Sequence, residues 1–203
     1  MALAKPIDRL TEAEYLATER RAEFRSEFFR GEIFAMAGGT RQHSLIAANF
    51  IRELGVALRG RPCVVYTADL RIKVDAAGLY TYPDLSVACG EQKFLDHQQD
   101  TLLNPLLIVE VLSDSTEAYD RGAKFEAYRR ILSLQEYLLA SQRQARIEQY
   151  IRRPGDEWLL REAAGMDAKL SLPSLDITLN LREVFANVEF PRVTLHPERQ
   201  PGH

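Results

Sequence analysis

One stretch limits what this chain can fold into: LLIVEVLSDSTEAYDRGAKFEAY, from Leu106 to Tyr128. Leu106, Leu107, Ile108 and Val109 follow Pro105, and Val111 and Leu112 close the run. A short apolar run rich in branched residues predicts a buried strand. Glu110 sits inside it. A carboxylate there loses most of its hydration, so it must be paired, bound to a metal or protonated. The next segment predicts a helix that starts at Asp114, with Glu117 as the second half of a capping box. Lys124 falls well inside that helix. A strand, a turn and a helix of this length can fold back and bring the lysine to the carboxylate.

Around this unit, 203 residues are enough for one sizeable core. Apolar residues make up 46% and charged residues 27%, with a formal net charge of −3. That balance excludes a strongly basic nucleic-acid coat protein but not a nuclease with an acidic, metal-loaded pocket. Cys63 and Cys89 lie far apart, without metal-type spacing, in apolar strand-like segments. They read as buried free thiols in a reducing compartment. Lys5, Asp8 and Arg9 break the N-terminal apolar character, so no signal peptide is expected. No run reaches the ~18 apolar residues of a spanning helix. The expectation is a soluble, cytoplasmic protein with no membrane partner.

Along the chain, Ile7 to Glu23 predicts a short helix with Asp8 and Thr11 as possible caps. RSEFFRGEIFAMAGG predicts a hairpin turning at Arg30-Gly31, with Glu27 in its first strand. Glu27 reads as a cross-strand partner for an arginine or as an accessory acid beside a metal. Thr40 caps a long helix whose Ile46, Phe50, Leu54 and Leu58 recur every four residues, with His43 in its first turn. Cys63 to Val74 predicts one strand, its second half placing Leu70, Ile72 and Val74 on one face and Asp69, Arg71 and Lys73 on the other. YPDLSVAC predicts another, with Asp84 at its start. Gly90 to Asn104 reads as a surface loop. In the focal helix Asp120, Lys124 and Tyr128 are spaced four apart on one face. Further strands are expected at 136–140, at 145–152 and from Trp158, and a strand passing into a short helix in LPSLDITLNLREVF. The pattern is one α/β domain over residues 1–190 with a mixed sheet, followed by a flexible tail at 191–203.

Asp84, Glu110 and Lys124 then form a constellation: two acids on neighbouring strands and a lysine on the next helix. Two adjacent carboxylates repel and raise each other's pKa unless a cation stands between them. Oxygen donors of this kind suit Mg2+ or Mn2+. The segments that carry these residues, Pro83-Asp84, Glu110-Val111 and Lys124, resemble the PD-(D/E)XK nuclease superfamily. More closely, SEFFRGEIFAMAGG, His43, YPDLSVACG, IVEVLSDSTEAYDRGAKFEAYR and SLQEYLLAS resemble a large bacterial family of restriction-endonuclease-like proteins. The resemblance covers nearly the whole chain. It implies a restriction-endonuclease-like mixed sheet flanked by helices, a divalent metal on Asp84, Glu110 and the Val111 carbonyl, and Glu27 and His43 in the same pocket. Two positions depart from it. The superfamily lysine lies two residues after the acid, where this chain has Leu112, and the closer family's displaced lysine matches Lys124. Asp114 stands where that family has proline.

Two functions compete. One is a metal-dependent endonuclease that hydrolyses DNA phosphodiester bonds, as a homodimer if both strands are cut. The other is a catalytically weak or inactive nucleic-acid-binding or scaffold protein on the same fold. A non-nucleic-acid hydrolase using the same metal is a third. Arg20, Arg21, Arg25, Arg129 and Arg130 are available either for phosphate contacts or as solvated faces.

Overall fold

The computed structural model describes residues 9–36 and 38–191. Asp8 as a cap and most of the expected tail lie outside these residues. The first helix, α1 (Glu12–Glu19), is capped by Thr11, which exchanges hydrogen bonds with Glu14 in a capping box. β1 (Ser26–Phe29) and β2 (Glu32–Ala35) form the expected hairpin. Its two turn residues, Arg30 and Gly31, both have positive φ, as a tight two-residue hairpin turn requires. Thr40 caps α2 (Arg41–Ala57), and Ile46, Phe50 and Leu54 are fully buried along one side of it.

The expected strand from Cys63 to Val74 is two strands in two different sheets. β3 (Cys63–Thr67) ends at a turn through Ala68 to Leu70, and β4 (Arg71–Val74) starts beyond it. Alternation ran through the break because the turn residues happen to keep the pattern. Arg71, on the face opposite Ile72 and Val74, is buried: its guanidinium bonds Thr101, Tyr82 and Asp100. The expected 90–104 loop contains β7 (Thr101–Leu102), which pairs with β4. β5 (Leu79–Thr81) completes a five-stranded sheet in the order β2-β1-β5-β4-β7.

The second sheet carries β6 (Leu85–Cys89), β8 (Leu107–Leu112), β9 (Glu136–Ser141), β10 (Arg146–Arg152) and β11 (Trp158–Ala164), in the order β11-β10-β9-β8-β6-β3. β8 and β9 run parallel and their neighbours antiparallel, so the sheet is mixed. Cys63 stands opposite Cys89 in the β3–β6 register, and the two form a disulfide. The expectation of two free thiols is therefore wrong: strand pairing brings together residues far apart in sequence.

Side chains alternate across this sheet. Leu85, Val87, Leu107, Val109, Val111, Leu138 and Ala140 pack on one face beneath α2. That layer also takes in the small hairpin of β12 (Lys169–Leu172) and β13 (Ile177–Asn180) and the short α5 (Leu181–Val184). Ala88, Ile108, Leu112, Tyr137 and Leu139 pack on the other face with Ile72, Val74 and Leu79 of the five-stranded sheet. Glu110 alternates with Ile108 and Leu112, so it faces this second layer.

The focal helix lies there. It runs as α3 (Glu117–Tyr119), one π turn (Asp120–Lys124) and α4 (Phe125–Tyr128). It does not start in a box on Asp114. Ser113 Oγ accepts from the Thr116 N–H and the Ser113 carbonyl from the Glu117 N–H, whereas Asp114 turns outward to Arg143 and Glu117 to Arg121. Among the described residues no helix is long and apolar enough to cross a membrane.

Candidate active site

The two sheets and the focal helix leave a cleft of about 850 Å³, and all five candidate side chains, Glu27, His43, Asp84, Glu110 and Lys124, line it. Leu85 pairs with Val109 in the β6–β8 register, which sets Asp84 beside Glu110 at the end of β6. An Asp84 carboxylate oxygen accepts from the Val111 N–H at 2.6 Å. In a strand the N–H and C=O of one residue point to the same edge, so the Val111 carbonyl also faces this corner.

Glu110 is 4% exposed and Lys124 6%. Lys124 Nζ lies 2.9 Å from Glu110 Oε1, 3.3 Å from Glu27 Oε1 and 3.6 Å from Asp120 Oδ1. The Tyr128 hydroxyl donates to the same Glu110 Oε1 at 2.9 Å, and the Thr81 hydroxyl donates to Glu27. The Tyr137 hydroxyl donates to the Asp120 carbonyl. Tyr128, Thr81 and Asp120 thus hold the charged groups in place. The four-residue spacing of Asp120, Lys124 and Tyr128 was the one local signal for them; Thr81 gave none.

Burial opposes charge on both partners of the central pair, and they respond differently. Lys124 faces three carboxylates, Glu110, Glu27 and Asp120, which outweigh its burial and hold its pKa well above the ordinary lysine value. Glu110 shares a single lysine with two other acids. Burial, with Asp120 and Asp84 adding to it, pushes its carboxyl up to about 8 despite Lys124. Burial also raises Asp120.

His43 Nε2 is 3.1 Å from both Asp84 oxygens. That hydrogen bond, against burial, raises the imidazole above its ordinary value. Gly39 is required beside it, because a Cβ there would lie 2.8 Å from His43 Nδ1. Gln142 ties the cleft wall together: its amide donates to the Leu112 carbonyl, and its side-chain oxygen accepts from Thr40, the cap of α2.

Several arginines offered as phosphate contacts are engaged elsewhere. Arg20 binds Asp96 and Asp100, Arg25 binds Asp69, and Arg130 binds Glu126 and the Ala76 carbonyl.

For a divalent cation, the donor set is oxygen throughout. Among the described residues no three His, Cys, Asp or Glu side chains form a metal cluster. The acid pair with one main-chain carbonyl is a smaller set, of the kind on which Mg2+ keeps several waters. Tyr128 and Lys124 both meet Glu110 at Oε1, which leaves Oε2 for a ligand. The residues fit the ion.

A mixed sheet with one acid at the start of β6, a second inside the neighbouring β8 and a lysine on the adjoining helix defines an α/β protein of nuclease-like fold. The fold is similar to the crystal structure of a "putative nuclease belonging to DUF820" from Anabaena variabilis, with a TM-score of 0.69 and 19% identity over 87% of this chain and 97% of that one. The chain belongs to the Uma2 family, described as "putative restriction endonuclease", which it matches over residues 12–182. Two uncharacterized proteins of Synechocystis sp. are close in sequence. sll1609 is 39% identical over 83% of this chain and 95% of its own length, and slr1290 is 36% identical over 91% and 96%.

Proposed function

We propose that this protein is a metal-dependent endonuclease that hydrolyses DNA phosphodiester bonds, with Mg2+ or Mn2+ on Asp84, Glu110 and the Val111 carbonyl. One observation carries the reading: four carboxylates, Glu27, Asp84, Glu110 and Asp120, stand at the floor of a cleft against one lysine. A phosphate will not approach that floor unless a cation offsets the acids. The family description and the nuclease-like fold support the same reading.

When bound, a divalent ion polarises a phosphodiester and lowers the pKa of water. The chain's own groups do the rest. Lys124 presents a fixed ammonium to the phosphate as charge develops on it. Asp120 and Glu27 hold that ammonium in place, and Tyr128 fixes the rotamer of Glu110. His43, hydrogen-bonded to Asp84, holds its proton more tightly than an ordinary imidazole and can pass one to or from the site.

The competing scaffold reading has its own observation. Lys124 and Tyr128 already satisfy Glu110, and the Val111 N–H and His43 already satisfy Asp84, without any ion. Incubation with plasmid and with single-stranded circular DNA, in magnesium, manganese or EDTA, separates the two. Cleavage in metal that is lost in EDTA and in Asp84→Ala is the expected result. No cleavage of either DNA in either metal favours the scaffold.

A further inference from the structure

The hairpin β1–β2 does more than deliver Glu27. In its register Glu27 stands directly opposite Phe34, so the two side chains share one face. The Glu27 carboxylate reaches Lys124, so that face is turned into the cleft. Phe34 is nevertheless 49% exposed, and Met36, two residues on and on the same face, is 38% exposed. All of β2 is an exposed edge strand. From the focal helix Tyr119, which lines the same cleft, is also 38% exposed, its ring centroid 5.8 Å from Lys124 Nζ. Two part-exposed aromatic rings, from the hairpin and from the helix, therefore line the lip of the cleft that holds the lysine.

The cations of the cleft tell the other half. Among the described residues, apart from His43, those lining it are Lys124 and Arg143. Lys124 is committed to carboxylates, and Arg143 is paired with Asp114. A protein that grips duplex DNA does so mainly by lysines and arginines on both phosphate backbones. A protein that takes a single strand also uses positive charge along the backbone, but adds aromatic rings on which the bases stack, which tolerates any sequence. Among the described residues this lip offers rings and little free positive charge. The lysine and Glu110 are also buried, so the reacting phosphate must descend between the walls. An unpaired strand can do that with its bases splayed out.

We propose that the substrate of this cleft is unpaired DNA, with bases beside the scissile phosphate stacked on Phe34 of the hairpin and Tyr119 of the helix. The proposal rests on the nuclease reading above and specifies its substrate class.

Fluorescence anisotropy in calcium, with a labelled oligothymidylate of ~20 nucleotides and a duplex of similar length, tests it. Parent protein should bind the single strand more tightly. Phe34→Ala should weaken single-strand binding between about five- and 150-fold and leave duplex binding unchanged, while Phe34→Tyr should restore it. Phe34→Trp should show emission quenched by the oligothymidylate. Because the Phe34 ring is half exposed, Phe34→Ala should melt like the parent, so lost binding is not lost folding. Unchanged single-strand affinity in Phe34→Ala overturns the proposal, as does equal weakening for both DNAs. In either case metal-dependent cleavage abolished by Asp84→Ala would leave the nuclease reading standing. A parent that binds and cuts neither DNA overturns both.

Discussion

Glu110 makes the metal-free protein pay for pH. Its carboxyl is raised by burial from the ordinary 4.5 to about 8, while Lys124 keeps its proton throughout that range. A group whose folded pKa is raised adds stability below its unfolded pKa, and that stability is lost as pH rises through the folded value. The window is therefore pH 4.5 to about 8. At ~1.4 kcal/mol per pH unit, the loss across it is at most ~5 kcal/mol, a large share of the ~5–15 kcal/mol that holds a domain folded. Urea denaturation in EDTA at intervals from pH 5 to 8 should show stability falling toward the alkaline end. Glu110→Gln, which keeps the shape and the Tyr128 hydrogen bond, should flatten that slope. Magnesium or manganese should stabilise the parent more at pH 8 than at pH 5, by ~2.7 kcal/mol at a hundredfold excess over Kd, and should do little for Glu110→Gln. A Glu110→Gln variant with the parent's pH slope would refute the reasoning about burial. A parent indifferent to both metals at pH 8 would remove the ion from the site.

Three further outcomes follow from the same geometry. Lys124→Met should cut DNA roughly 10²–10³ more slowly with DNA affinity little changed; a variant that instead loses ~3–5 kcal/mol of stability, from a parent that never cuts, would make the lysine a structural counter-ion. Asp120→Asn should keep most of the metal affinity in a calorimetric titration with manganese, whereas Asp84→Ala should lose it. Equal losses would make Asp120 a ligand. Arg20, with Arg71 adding to it, holds the Asp100 carboxyl well below the usual carboxylate range. Its stabilisation is present above the unfolded pKa of ~3.9 and is lost as pH falls below it. The urea midpoints of the parent and of Asp100→Asn should accordingly differ at pH ~6 and converge on acidification; a gap that persists in acid would show that the packing, not the charge, matters.

What could be read from the residues in order was the local part. A glutamate in a run of branched residues announced the buried acid, and four-residue spacing put Asp120, Lys124 and Tyr128 on one face. Thr40 before a periodic apolar stripe gave α2, and Arg30-Gly31 between two aromatic runs gave the hairpin. The losses were all long-range. Alternation from Cys63 to Val74 concealed a change of sheet. The Cys63–Cys89 bridge and the Arg71–Asp100 pair depend on which strands become neighbours, which residue spacing does not encode. Asp114 carried a capping pattern, but Ser113 made the bonds first and left the aspartate to Arg143. Thr81 reaches Glu27 only because β5 lies beside β1.

The single π turn at Asp120–Lys124 has a consequence for how this lineage can diverge. Such a turn holds one residue more than a regular α turn, and excising that residue restores ordinary helical register. The two halves of the helix would keep nearly the same rotation about the axis, because a five-residue π turn advances about as far round as four α-helical residues. Phe125 and Tyr128 would stay packed against Tyr137. Asp120 and Lys124 would change from a spacing of four residues to one of three, which still shares a face. A one-codon deletion at Gly122 should therefore leave both the core and the acid–lysine contact in place. Homologues shorter by one residue in this turn should retain the chemistry as well as the architecture.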